Sequence, residues 1–176
     1  RQTALASISY NSTSSAFSWP ELAWTMNNFV SPQMHLFDRF FYDRSTHQYT
    51  VDRFLDDLEL RYGGIDSALI WSTYPNIGID DRNQWDLTRL SPVGLVEAID
   101  RMHQRGVRVL LPLNPWDSGT TPEPGSTSDE ETLAKLSFQL NADGFNGDTM
   151  ELVSESYQTA AVKISGKGTA IEPELG

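Results

Sequence analysis

Apolar residues along this chain follow two spacings in alternation. In the longer runs they recur every three or four positions, which predicts amphipathic helices, and the short continuous apolar runs between them are typical of buried strands. The predicted helices lie at residues 49–62, 93–105, 129–141 and 151–164, and the predicted strands lie at 34–37, 67–71, 107–112, 144–146 and 169–171. The elements therefore follow each other in the order βαβαβαβαβ.

The start of the chain shows a different pattern. It is rich in Ser, Thr and Ala and has no clear period as far as Ser18. Ser18 and Pro20 predict a short helix that has Ser18 as its N-cap and Trp24 on its apolar face. We therefore expect a lead-in with one helix over residues 1–30 and an α/β domain over residues 31–176.

Alternating strands and helices of this length predict a parallel sheet with right-handed crossover connections. The loops after the predicted strands are long, whereas those before them are short and marked by glycine. This asymmetry favours a (β/α)₈ TIM barrel, whose working face lies at the carboxyl ends of its strands. A doubly wound sheet is the alternative, although no G-x-G-x-x-G stretch follows the first strand.

The chain is short for a complete barrel. It has 176 residues, whereas a full (β/α)₈ barrel needs about 250. The predicted strands number about five of the eight in a barrel, so the two outer strands would be open edges. We expect a partial TIM barrel that is completed by another chain or by the rest of its own chain.

Composition narrows the choice of ligands. The formal net charge is -11 and the calculated pI is about 4.5, which argues against nucleic acid, anionic membranes and polyanionic substrates. No apolar run approaches the roughly 20 residues of a membrane span. The absence of cysteine excludes thiolate chemistry and disulfides. An uncharged sugar fits this surface, and we expect neither a cofactor nor a metal.

Acidic residues follow the last two predicted strands. Asp148 lies just beyond the fourth strand, Glu172 directly follows the fifth, and Glu174 shares the strand parity of Glu172. Glycoside cleavage usually needs two such carboxyl groups, one to protonate the leaving oxygen and one to attack. The other interpretation is that Asp148 caps a helix and Glu172 is a solvated loop acid.

Further polar side chains cluster where the first three predicted strands end. An ordered loop without a ligand is the alternative interpretation for residues 74–86, and an Asp–Arg pair fixing its loop is the alternative for Asp38. Trp71 and Trp85 are either sugar-stacking platforms or core residues. The predicted carbohydrate-binding residues are Asp38, Tyr74, Asn76, Asp81, Asn83, Gln84, Asn114, Trp116, Asp117 and Asn146.

The order of these stretches resembles barrel glycoside hydrolases. Residues 143–148 (DGFNGD) resemble the D-G-F-R-x-D stretch of the α-amylase-like and α-galactosidase/α-glucosidase-like groups. A group of glycosidase-like barrel proteins also contains stretches similar to residues 38–43 (DRFFYD), 74–84 (YPNIGIDDRNQ) and 172–174 (EPE). The resemblance covers about residues 17–176 and implies that Asp148 is the nucleophile and Glu172 the acid/base. Asn146 departs from the arginine of the α-amylase pattern.

Three hypotheses follow from the sequence. The first is a glycoside hydrolase-like domain that cleaves neutral glycans by a retaining two-carboxylate mechanism. The second is a non-catalytic barrel module that binds glycans or serves as a structural component of an extracellular assembly. The third is an unrelated α/β enzyme with its ligand at a sheet switch point. Asn11 begins an Asn-Ser-Thr glycosylation sequon, which favours a secreted or extracellular glycoprotein.

Overall fold

The protein has a mixed α/β fold built on a parallel sheet. The computed structural model describes residues 18–73, 78–117, 125–150 and 152–174. The strands are β1 (Gln33–His35), β2 (Tyr42–Asp43), β3 (Gln48–Tyr49), β4 (Ser67–Trp71), β5 (Arg108–Leu113), β6 (Gly144–Gly147) and β7 (Ala170–Pro173). A 3-10 helix (Pro20–Asn27) precedes α1 (Val51–Tyr62), α2 (Gln84–Arg89), α3 (Leu95–Gln104), α4 (Asp129–Leu140) and α5 (Ser156–Ser165).

The five predicted strands are confirmed and form one sheet. Its order is β1-β4-β5-β6-β7, and every neighbouring pair is parallel. The strands therefore cross the sheet in chain order, without a reversal. A topological switch point requires such a reversal, so the described sheet does not supply the site that the third hypothesis needs.

Side chains alternate between the two faces of the sheet. Ala68, Ile70 and Val109 pack against α1 and α3, and Phe145 packs in a second cluster with residues of α2 and α4. The opposite face carries four buried apolar residues that pack against Leu22 and Trp24 of the 3-10 helix, namely Leu69, Trp71, Leu110 and Ala170. The α-helices thus share one face, and the 3-10 helix covers part of the other.

Several local predictions are wrong. The first helix is a 3-10 helix whose N-cap position is Trp19, not Ser18, and no side chain caps it. Helix α2 and the β2–β3 hairpin both form where the sequence predicted loops. None of the described helices is long and apolar enough to cross a membrane.

A proline in β5 interrupts its pairing with β4 towards the carboxyl ends of the two strands. The amide of Arg108 donates to the carbonyl of Asp66 beside β4, so alternate residues of β5, including Pro112, face that strand. Pro112 has no N–H to donate. Consistent with this, the register between the two strands ends at the Leu69–Leu110 pair.

A largely buried carboxylate holds the amino ends of neighbouring strands together. Asp143, just before β6, accepts hydrogen bonds from Arg108 Nη1 and the Val109 amide, each 2.8 Å, and lies 2.7 Å from His103 Nε2. Burial raises the pKa of Asp143, but the hydrogen bonds from His103 and Val109 outweigh it and hold that pKa below its ordinary value. His103 thereby joins α3 to the sheet.

Candidate functional site

A cleft lies at the carboxyl ends of β6 and β7, on the face of the sheet that also carries Trp71. Its volume is about 480 Å³, and it is lined by Gln33, Trp71, Asn146, Asp148, Glu172, Pro173 and Glu174. The three acidic residues share one strand parity, as Asn146 pairs in register with Glu172. The structure therefore brings the three predicted carboxylates to a single cleft.

Asp148 is held by donors from two loops. Its amide donates to the Leu113 carbonyl at 2.8 Å. Its Oδ2 accepts from Asn114 Nδ2 at 3.1 Å and from Trp116 Nε1 at 3.3 Å. Its Oδ1 accepts from the Thr149 hydroxyl at 3.2 Å. Hydrogen bonds to a carboxylate favour its ionised form and restrict its rotation.

Thr149 has an unusual backbone conformation. Its φ is 53°, in the left-handed region that β-branched residues rarely adopt. Its amide points to Glu174 Oε2 at 3.3 Å, while its hydroxyl reaches Asp148. Strain of this kind costs about 1–3 kcal/mol and persists where surrounding contacts fix the backbone. Thr149 therefore links two of the three acids through a strained turn that no sequence pattern predicted.

Glu172 and Glu174 differ in how their side chains are held. Both are exposed. The backbone of Glu174 is paired with Gly147 and Met150, and its carboxylate accepts from Thr149. Within the described parts of the chain, no hydrogen bond or salt bridge engages the carboxylate of Glu172. Glu172 is therefore the acid whose oxygens remain available to a ligand.

Several predicted binding residues lie inside the protein instead of lining the cleft. Asn83 accepts from the Trp85 and Asp86 amides and so caps α2. Gln84 is buried against the backbone of Asn114. Trp85 is buried in the core, which is the second of the two interpretations offered for it.

Three further predicted residues, Asp38, Asp81 and Asp117, are not among the residues that line the cleft. Asp38 and Asp81 are exposed but do not line the cleft, and Asp38 accepts from the Phe40 amide at 2.7 Å. Within the described residues, Asp38 forms no ion pair with an arginine. Asp117 accepts from the Gln84 amide at 2.9 Å. Tyr74, Asn76 and Asn11 lie outside the described residues.

Gln33 is a cleft residue that the sequence did not indicate. It begins β1, and its parity is opposite to that of the buried Met34. A polar residue before a buried apolar one was the available signal, but it is common in strands and carries little information. Among the described residues, no group of three or more His, Asp or Glu side chains is arranged to hold a metal ion.

No protein-family model matches the chain, and neither does any curated protein sequence. Among solved structures, the chain is similar to a β-arabinopyranosidase, with 14% identity and a TM-score of 0.44 over 84% of this chain and 22% of that one. It is also similar to the cycloalternan-forming enzyme from Listeria monocytogenes in complex with a pentasaccharide substrate, with 14% identity and a TM-score of 0.47 over 90% and 22%. A third is an uncharacterized protein from Listeria monocytogenes EGD-e in complex with glucose, magnesium and calcium, with 14% identity and a TM-score of 0.44 over 90% and 22%. This chain spans 22% of the length of each of these proteins.

Proposed function

We propose that this chain is part of a (β/α)₈ barrel glycoside hydrolase-like domain that cleaves neutral glycans with retention of configuration. The observation that carries the proposal is the cleft in which Asp148, Glu172 and Glu174 meet at the carboxyl ends of two adjacent parallel strands. Active sites of barrel enzymes lie at this end of the strands. The net charge of -11 supports an uncharged substrate.

Two features of the sheet support the barrel architecture. The crossover helices pack on one face only, as they do around a barrel, whereas a doubly wound sheet has helices on both. In addition, Gln33 of β1 and Glu172 of β7 line the same cleft although they lie on opposite edges of the sheet. Four flat strand spacings would separate those edges by about 19 Å, so the sheet curls towards the cleft.

In the proposed chemistry Asp148 is the nucleophile and Glu172 is the general acid and then the general base. An oxygen of Asp148 bonds to the anomeric carbon while the bond to the leaving oxygen breaks, and Glu172 gives its proton to that oxygen. Glu172 then takes a proton from water, whose oxygen bonds to the anomeric carbon as Asp148 leaves as a carboxylate. Donors that hold Asp148 in one orientation suit a nucleophile, and the carboxylate of Glu172, which no described side chain engages, suits proton transfer.

Strand spacing supports retention. Adjacent strands lie about 4.8 Å apart, so carboxylates at the ends of β6 and β7 can approach each other closely. Asn146 is the register partner of Glu172, which places Asp148, two residues further on, level with Glu174 and one side-chain position beyond Glu172. Retaining enzymes hold their two carboxyl groups about 5–5.5 Å apart, whereas inverting enzymes need a wider gap for water. Glu174 is the runner-up for the acid/base, because its carboxylate accepts from Thr149 next to Asp148.

Asn146 favours a second candidate function. It lies in the cleft where the α-amylase pattern has arginine, and a neutral amide binds sugar hydroxyls without assisting a charged nucleophile. A non-catalytic glycan-binding module would keep such a residue. This candidate predicts binding of neutral oligosaccharides without release of a new reducing end.

The test uses the full-length protein and a panel of neutral oligosaccharides and aryl glycosides. Asp148→Asn should lower kcat about a thousandfold or more, as loss of a nucleophile does. Glu172→Gln should lower it most for substrates with poor leaving groups, because these need protonation. Asp56→Asn and Glu97→Gln are controls, as both residues are exposed on helices away from the cleft.

Stereochemistry and binding separate the outcomes. Proton NMR of the first product should show the anomeric configuration of the substrate. Full activity of Asp148→Asn would overturn the assignment of the nucleophile, and an inverted product would overturn retention. Saturable binding without turnover, reduced by Asn146→Ala, would favour the non-catalytic candidate.

A further inference from the structure

Gln84 makes a two-point contact with the backbone of another loop. Its side chain is 1% exposed at the start of α2. Its Nε2 donates to the Asn114 carbonyl at 2.9 Å, and its Oε1 accepts from the Asn114 amide at 2.7 Å. The side-chain amide of Gln84 thus uses both its donor and its acceptor on one residue, as the backbone of a neighbouring strand would do. Gln84 therefore fixes the backbone of Asn114 directly after β5.

Asn114, held in this way, contacts Asp148 through its own side chain. The residue is fully buried, and its Nδ2 lies 3.1 Å from Asp148 Oδ2. The opposite orientation of the amide would set Asn114 Oδ1 against a carboxylate oxygen, which is repulsive. The carboxylate therefore selects the donor orientation, even though Asn114 Oδ1 is left buried without a hydrogen-bond partner in the described structure. A buried acceptor without a hydrogen-bond partner destabilises the folded state, and the contact with Asp148 must offset that loss of stability.

Helix α2 is itself anchored at the same end. Asn83 and Asp86 form a capping box, and the amide of Gln84 donates to Asp117 Oδ2 at 2.9 Å. We infer that Gln84 and Asn114 are positioning residues which, through the chain of contacts Gln84–Asn114–Asp148, hold the carboxylate of Asp148 in place. Neither lines the cleft. The inference deepens the proposed function, because Asp148 is its nucleophile.

Trp116 offers a spectroscopic probe of this arrangement that is independent of catalysis. Its indole N–H points to Asp148 Oδ2 at 3.3 Å, so its ¹⁵N–¹H resonance should shift as that carboxylate gains or loses its proton. The full-length protein is labelled with ¹⁵N-tryptophan, and Trp116→Phe identifies the resonance. Asp148→Asn should abolish the titration, which separates Asp148 from the nearby acids Asp117, Glu172 and Glu174.

The variants Asn114→Ala and Gln84→Met then test the chain of contacts. Asn114→Ala removes a hydrogen-bond donor to Asp148, so the titration midpoint of that carboxylate should rise by about one pH unit. This shift corresponds to the free energy of a hydrogen bond to a charged group. Gln84→Met should raise it by at least half as much, although Gln84 does not touch Asp148. The double variant should show no more than the shift of Asn114→Ala alone, since the two residues act in series. Gln48→Met, at an exposed position in β3, should leave the midpoint unchanged.

Conservative variants keep the test decisive if a truncated side chain prevents folding. Gln84→Glu keeps the acceptor and removes the donor, and Asn114→Asp sets a second carboxyl group beside Asp148, so both should also raise the midpoint. An unchanged midpoint in the folded Gln84 variants would overturn the role of Gln84. An unchanged midpoint in the Asn114 variants would overturn the whole inference. Because the measurement follows ionisation and not turnover, its result stands apart from that of the glycosidase assay.

Discussion

Asp143 shows how one carboxylate stabilises a parallel sheet at the end opposite the cleft. Its side chain is 11% exposed and accepts from donors on β5, while His103 approaches it from α3. Its own backbone pairs with Val109 on one side and Ala170 on the other. A single residue therefore connects three strands and a helix, which explains why an acid is found at a largely buried position.

We predict that Asp143→Asn destabilises the protein in a pH-dependent way. The new amide nitrogen would face donors, so the free energy of unfolding should fall by about 1–3 kcal/mol at pH 7. The pKa of Asp143 is lowered from 3.8 in the folded state, so its contribution is complete above that ordinary value and is lost as the pH falls through the folded-state pKa. Urea unfolding at pH 7 and at steps below pH 4 should show the two proteins converging. A difference that stays constant to the lowest pH would contradict this origin.

The pairing of β6 and β7 depends on a close approach of their backbones. A Cβ atom on Gly144 would lie too close to the carbonyl of Ala170, the register partner of Gly144. The strand that carries Glu172 is thus held against β6 at a position where only glycine fits. Close packing at the base of β7 helps to set where its two acids lie.

Gly144→Ala should push β7 away from β6. We expect a loss of about 1–3 kcal/mol in the free energy of unfolding, together with faster hydrogen exchange of the amides of Ala170 and Glu174, which donate to the carbonyls of Asp143 and Gly147. Gly166→Ala is the matched control. Its φ of 74° makes alanine unfavourable, but no atom lies near the added methyl group, so the Ala170 and Glu174 amides should keep their protection. If these two amides are as well protected in Gly144→Ala as in the unsubstituted protein, the strands accommodate the methyl group and the prediction is wrong.

The sequence predicted elements best where the apolar pattern was long. Strand β4 was predicted with its full bounds, because five consecutive residues are buried. Helix α2 was missed because six residues are too few to show a helical period, and its polar start suggested sugar binding. Asn83 followed three residues later by Asp86 was the signal for a capping box. The positions of Asp148 and Glu172 after neighbouring strands, with the shared parity of Glu172 and Glu174, did predict that these acids lie together, as they do in the cleft.

Contacts between distant loops could not be predicted in the same way. The pairing of Gln84 with Asn114 joins residues 30 positions apart, and no local pattern indicates it. The left-handed turn at Thr149 is likewise imposed by its surroundings, because the residue itself disfavours that conformation. The sequence therefore indicated which acids share the cleft, whereas the contacts that hold Asp148 required the structure.

At the scale of the whole molecule, the outer strands β1 and β7 each have a single partner in the described sheet. In β1 the amide of Leu36 donates towards β4, so the amides of Gln33 and His35 point away from the sheet. In β7 the amides of Ala170 and Glu174 donate towards β6, so that of Ile171 points outward. Open edges of this kind invite pairing with another strand.

The proposed barrel predicts that these outward amides are hydrogen-bonded in the full-length protein. Hydrogen exchange should show Gln33, His35 and Ile171 protected by about a thousandfold or more, as for amides within a paired sheet, with the inward amides of Met34 and Ala170 as internal references. The isolated 176-residue chain should lose that protection and self-associate, since its edges and apolar surfaces would be uncovered. Pro173 lies on the outward side of β7 and has no N–H, so closure there must use its carbonyl. Rapid exchange of all three amides in the full-length protein, or a stable monomer of the isolated chain, would contradict the barrel.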